Sequence, residues 1–189
     1  ETMSLAPGIH PFKLTVAAES ELSKEIKLPL PTNVVLITDV SNSMACDTDN
    51  THPQDCLHWI PPQDLGNDIQ DCSNPNLVLD STQKLSLAKC FGKSFAEIII
   101  DSDQKNKVGL THFSTHTAGF LNPINDIVTI KSTIDTYNVG QGGTGATCIE
   151  CALFKARQIL GSISTNGTKV IVLMSDGKPT ETIAGEGEG

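Results

Sequence analysis

The 189-residue chain is short of positive charge: 13 Lys and Arg stand against 22 Asp and Glu, a formal net charge of −9. Phosphate backbones are held by clustered basic side chains, so no nucleic-acid partner is expected. The acidic excess itself is read only as a solubility device. Long hydrophobic runs are missing too. The longest, residues 34–37 and 170–174, fall far below the roughly 20 residues of a membrane-spanning helix, so no membrane span is expected. No basic stretch followed by an apolar one opens the chain, so no signal peptide is visible. The first residue is Glu1 and not Met, as in a processed form or a fragment.

Hydrophobic residues make up 38% and charged residues 19%, enough apolar material for a packed core and too little charge for wholesale disorder. The six cysteines, Cys46, Cys56, Cys72, Cys90, Cys148 and Cys151, form an even set that favours disulfides in an oxidising, extracellular compartment. Which of them pair is left open by the sequence. Cys148 and Cys151 form a C-x-x-C pair, but no second close Cys or His pair accompanies it, which disfavours zinc. The expected pairing is a structural bridge locking this loop to the inserted segment described below. An N-x-T acceptor, Asn166-Gly167-Thr168, agrees with export.

Along the chain, residues 1–32 read as a β-rich lead-in: alternation over 9–16 and the apolar 26–28 suggest strands, and Pro29-Leu30-Pro31 a linker. From residue 33 to 189, strand and helix patterns alternate. That alternation predicts an α/β fold, a Rossmann-like doubly wound and mostly parallel sheet flanked by helices. Strands are expected over 34–37, 107–113, 117–121 and 169–174. Helices are expected over 82–100, capped by Asp80 or Ser81 with Leu87, Phe91, Phe95 and Ile98 on the periodic face, over 126–137 with Ile127, Ile130 and Ile134 on one face, and over 147–160 with Ile149, Ala152, Leu153, Ala156 and Leu160 on one face. Residues 45–80 carry four prolines, three cysteines and no periodicity, and read as a disulfide-stapled insertion.

Two aspartates, Asp39 and Asp176, follow apolar strands. Ligands of open parallel sheets bind outside the carboxyl ends of the strands, where the strand order reverses. Ser41 and Ser43 place alternate hydroxyls after Asp39, and the Gly-rich residues 142–147 lead more hydroxyls into a helix. Carboxylates and hydroxyls are hard oxygen donors that suit Mg²⁺, Mn²⁺ or Ca²⁺. Weaker features are weighed lower. Asp47, Asp49, Asn50 and Asp55 could hold Ca²⁺ but lack the glycine turn and terminal Glu of an EF-hand loop. Trp59 is either a contact anchor or the small core of the insertion, and His112 reads as a core histidine.

Asp39-Val40-Ser41-Asn42-Ser43 resembles the D-x-S-x-S metal-ion-dependent adhesion site of von Willebrand factor type A domains. Thr147 stands where that family places its metal-binding threonine, Ser175-Asp176-Gly177-Lys178-Pro179 is similar to its T-D-G-x-P loop, and Phe113-Ser114 to the end of its second strand. Asn42 replaces the usual glycine, and its tolerance of positive φ is expected to preserve the turn. The resemblance implies a divalent cation, Mg²⁺ first, at Asp39, Ser41, Ser43, Thr147 and Asp176. A protein ligand or neighbouring subunit would offer a carboxylate to complete the shell. It implies a metal-dependent adhesion module on a cell surface or appendage, not an enzyme, with a structural subunit of an extracellular filament or pilus as the rival. Domains of this kind continue past the D-G-x-P loop with further helices and strands. The C-terminal part is therefore expected to be missing here, leaving the 170–174 strand to be paired by downstream sequence or another chain.

Overall fold

The computed structural model describes residues 31–48, 66–143, 146–163 and 167–177. The two lead-in strands, Cys56, Trp59, and the Asp49, Asn50 and Asp55 part of the acidic cluster lie outside them. Strand β1 (Thr32–Asp39) is buried along all eight residues. A strand covered on both faces has no polar side to show, and so reads as a continuous apolar run. It pairs in parallel with β2 (Lys107–Phe113) and with β4 (Thr168–Met174), while β3 (Thr117–Ile124) adds antiparallel to β2. The order is β3-β2-β1-β4, so among the described residues β1 sits inside the sheet and β4 at an edge.

Alternation along β1 divides the core between the two faces. Val34 and Leu36 join α1 (Lys84–Ser102) and α2 (Ile127–Asp135) in a cluster with Ala96, Ile100, Leu110, Ile130 and Ile134. Val35 and Ile37 meet α3 (Ile149–Gly161) through Phe113, Ala152, Ala156 and Ile159. Helices on both faces of a mostly parallel sheet give the doubly wound architecture expected from the sequence. Asn106 fastens its lower end. Its carboxamide oxygen accepts from the Thr32 N–H at 2.7 Å, and its NH₂ group donates to the Ile99 carbonyl at 2.8 Å.

Three local expectations need correction. Helix α1 has Gln83 as its N-cap, with no side-chain cap bond. The carbonyls of Asp80 and Ser81 instead accept from Thr48 and Asn67, tying down the ends of the insertion. Helix α1 buries Leu85, Ser86, Lys89, Cys90, Gly92, Ala96 and Ile100, and the half-buried Phe95 packs against the same core as expected; Ile98 is 45% exposed, and Phe91 stacks on Phe95. Small residues among these let the helix approach the sheet closely, which turns the larger side chains outward. In α3 the same effect of Ala152 and Ala156 leaves Leu153 41% exposed. The insertion is stapled through a Cys72–Cys90 bridge to α1, and Cys46 is disulfide-bonded as well. Cys148 bonds Cys151 three residues on, so the bridge from this loop to the insertion does not form. Two cysteines flanking one helical turn are already within bonding reach of each other.

Candidate metal centre

Asp39 ends β1 and faces Phe113 of β2 in register, while Met174, the last residue of β4, faces Thr38. The chain therefore leaves β1 and β4 side by side, at the point where the sheet is built outward in both directions. That is the place where open α/β sheets gather ligands. Just past Asp39 the chain tightens into a 3-10 turn, Asn42–Ala45, closed by Met44 N–H to the Ser41 carbonyl at 3.0 Å. Asn42 thus takes helical geometry with negative φ, and the positive φ expected of it is not used. Its carboxamide oxygen is buried without a hydrogen-bond partner among the described residues.

Asp39 is 0% exposed. Its Oδ1 accepts from the Ser41 N–H at 2.8 Å, and its Oδ2 from the Ser175 hydroxyl at 2.6 Å. Among the described residues no ammonium or guanidinium pairs with it. Burial pushes its carboxyl above the ordinary range, against the lowering effect of the bonds from Ser175 and Ser41, and the nearby Asp176 charge pushes the same way. Ser41 Oγ and Ser43 Oγ lie 3.2 Å apart, and Ser43 Oγ donates to Asp176 Oδ1 at 2.9 Å. The other oxygen of Asp176, Oδ2, holds the Lys84 ammonium at 2.7 Å.

Thr147 reaches this end of the sheet through its loop. Gly140 N–H donates to the Val40 carbonyl at 2.7 Å, His116 N–H to Gly142 at 2.8 Å, and Cys148 N–H to Ser114 at 2.8 Å. Ser114, wholly buried, also donates its hydroxyl to the Ala146 carbonyl at 3.3 Å. Gly142 and Gly143 have φ of 83° and 98°, and a Cβ on Gly142 would collide with the His116 carbonyl oxygen. Gly177 closes the group. A Cβ added there would lie 3.5 Å from Thr147 Oγ1 and 3.8 Å from Asp39 Oδ2, filling the space the two oxygens border.

All five residues singled out in the sequence therefore gather at one end of the sheet. Ser175, Ser114 and Lys84 were missed as participants. Ser175 stands inside the recognised loop; Lys84 carries no signal beyond being a lysine at the start of a helix. The set is two carboxylates and three hydroxyls, and no cluster of three or more His, Cys, Asp or Glu suited to a metal occurs among the described residues. A hard divalent cation fits such oxygens, and it would neutralise the buried Asp39. His112 lies apart, its ring tilted against that of Tyr137 with centroids 4.3 Å apart, and burial pushes its imidazole down to about 4.

A family model described as the von Willebrand factor type A domain matches residues 73–178, more than half of the chain. The chain belongs to the von Willebrand factor type A domain family. Solved structures share the fold of this type A domain. The vWF domain of the type V pili tip protein Mfa5 from Porphyromonas gingivalis is 18% identical with a TM-score of 0.55, covering 81% of this chain and 40% of that one. The adhesive tip pilin GBS104 from Group B Streptococcus agalactiae is 20% identical at 0.55, covering 80% and 47%. The pilus adhesin RrgA from Streptococcus pneumoniae is 18% identical at 0.55, covering 82% and 21%. The chain thus spans less than half the length of each. A comparison with curated proteins returns no match.

Proposed function

We propose that this type A domain is an extracellular adhesion module that binds an acidic side chain of a protein partner through a divalent cation, Mg²⁺ first. Asp39, Ser41, Ser43, Thr147 and Asp176 would hold the ion. The observation that carries the reading is the fully buried Asp39 carboxylate, met by hydroxyls and an N–H but by no cationic side chain among the described residues. A buried charge left without a counter-charge is costly. An ion bound there supplies that counter-charge and a Lewis-acid site for an incoming carboxylate. The start of α3, just after Thr147, adds N–H groups that favour an anion. Bridged cysteines agree with an oxidising compartment, and pilus-tip proteins among the structural neighbours agree with adhesion. Binding is favoured over catalysis because Ser41 and Ser43 are tied to each other and Ser43 to Asp176, with no histidine bonded to either hydroxyl among the described residues.

Calorimetric titration of Mn²⁺ into the chain, with and without acetate as a carboxylate probe, tests this. Weak binding that tightens with acetate, and is lost in Asp39→Ala with the fold intact by circular dichroism, is expected. Unchanged binding in Asp39→Ala would refute the site.

A second reading rests on a separate observation. β4 pairs only with β1 among the described residues, and its Ile171 and Leu173 are each 38% exposed. Such an apolar edge invites another strand, from the same protein or from a neighbouring subunit of a filament. Concentration-dependent filaments in electron micrographs would favour the structural-subunit role.

A further inference from the structure

The Lys84–Asp176 pair stands out because it places a positive charge against a residue of the proposed cation site. Lys84 Nζ lies 2.7 Å from Asp176 Oδ2, and both side chains are largely covered, 14% and 17% exposed. The second oxygen of Asp176 accepts from Ser43, so this carboxylate is shared between a hydroxyl of the site and an internal ammonium. Lys84 is the first residue of α1, where the helix dipole disfavours a cation. The insertion fixes it there. Lys84 N–H donates to the Cys46 carbonyl at 2.9 Å, Gln83 N–H to Asn67 at 3.0 Å, and Asp47 bridges Gln83. The Cys72–Cys90 bridge clamps the same helix two turns on. The lysine stem lies along a cavity of about 300 Å³ lined by Met44, Leu87, Ala88, Phe91 and Met174, which gives the side chain a track into the site.

Resting on the metal-site reading above, we infer that Lys84 is a built-in competitor of the divalent ion, holding Asp176 in the ion's absence and making ion binding depend on the partner's carboxylate. The charges state the reason. Asp39 and Asp176 bring two negative charges, and Lys84 cancels one. Counting these three described side chains, a divalent ion therefore meets one net negative charge in place of two. The carboxylate of a partner restores the balance, so ion and partner bind cooperatively and the empty site is kept from loading on the ion alone. The insertion's role in this arrangement is to aim Lys84.

Calorimetry with Mn²⁺ on the full chain separates the outcomes. Lys84→Met keeps the apolar stem and removes the charge. It is expected to bind Mn²⁺ at least about tenfold tighter than the wild type, since like charges a few ångströms apart in a partly covered site repel by more than the tenfold equivalent. The tightening of Mn²⁺ by acetate should shrink in the same variant. Lys84→Arg, which keeps the charge, should behave as the wild type. If the Met variant misfolds by circular dichroism, Lys84→Gln makes the same comparison. Equal or weaker Mn²⁺ affinity in the charge-removed variants, with the wild type binding, overturns the role of Lys84 and leaves the metal site standing. No Mn²⁺ binding in any folded variant overturns both.

Discussion

At Asp39 a carboxylate is buried completely, and its folded-state affinity for a proton is raised chiefly by that burial. A group whose folded pKa lies above its unfolded value weakens the fold as pH rises through that interval, and the penalty is complete above it. Asp39→Asn in EDTA should accordingly melt no lower than the wild type. Adding Mg²⁺ at about 100 times its dissociation constant should stabilise only the wild type, by about 2.7 kcal/mol or on the order of 5–10 °C. Equal Mg²⁺ shifts in both proteins would show that the ion sits elsewhere. His112 works in the opposite sense. Its imidazole is held near 4 in the fold against about 6.5 unfolded, so the unfolded chain takes up more protons between those values. Stability should fall as pH drops from about 6.5 to about 4. Denaturant midpoints of His112→Gln should lose that share of the slope, and an unchanged profile would place the imidazole in water. Asp39, Ser41 and Ser43 could be picked out because hydroxyls at alternate positions after a strand-ending aspartate form a local pattern. Lys84 could not, because its contact with Asp176 spans the fold and leaves no local trace.

At the element scale, burial decided what periodicity could not. Strand β1 was readable because a strand covered on both faces is apolar through its middle, and β4, half exposed, was readable from its own apolar run. The inward face of α3 follows the sequence pattern at Ala152, Ala156 and Leu160, with Leu153 the exception, whereas on α1 the small Gly92 and Ala96 are buried and the larger Ile98 is exposed. The insertion was recognised as stapled, but its bridge to Cys90 depends on where α1 packs. Loop-closure entropy ranks the two described bridges: separations of 18 and 3 residues correspond to about 3 and about 2 kcal/mol. The Cys72→Ser, Cys90→Ser double variant should therefore lose more in urea unfolding than the Cys148→Ser, Cys151→Ser one. The reverse order would mean that the bridge beside Thr147 has a native-state role beyond closing its loop. Gly142→Ala should cost at least about 1–3 kcal/mol, because a side chain at φ 83° is strained and meets the His116 carbonyl. A melting temperature within 1–2 °C of the wild type, on the order of 0.5 kcal/mol, would contradict this loop geometry.

For the whole molecule, the sheet order β3-β2-β1-β4 turns two distant sequence segments, one after residue 39 and one after residue 174, into a single rim. The doubly wound fold was legible as a pattern of elements, and the rim followed from the rule that ligands gather where strand order reverses. Asn106 shows the same long-range economy at the opposite end, joining the start of β1 to the end of α1 by hydrogen bonds no local motif announces. Its replacement by Ala should cost about 1–3 kcal/mol in chemical denaturation, as expected when buried backbone groups lose their partner. A loss below about 0.5 kcal/mol would mean that water replaces it. The central claim is that this rim holds a divalent ion. Anomalous diffraction from crystals soaked in Mn²⁺ tests it most directly. The account predicts one strong peak bordered by the Asp39 and Asp176 carboxylates and the Ser41, Ser43 and Thr147 hydroxyls; a peak elsewhere, or none at a concentration that saturates binding in solution, would contradict it.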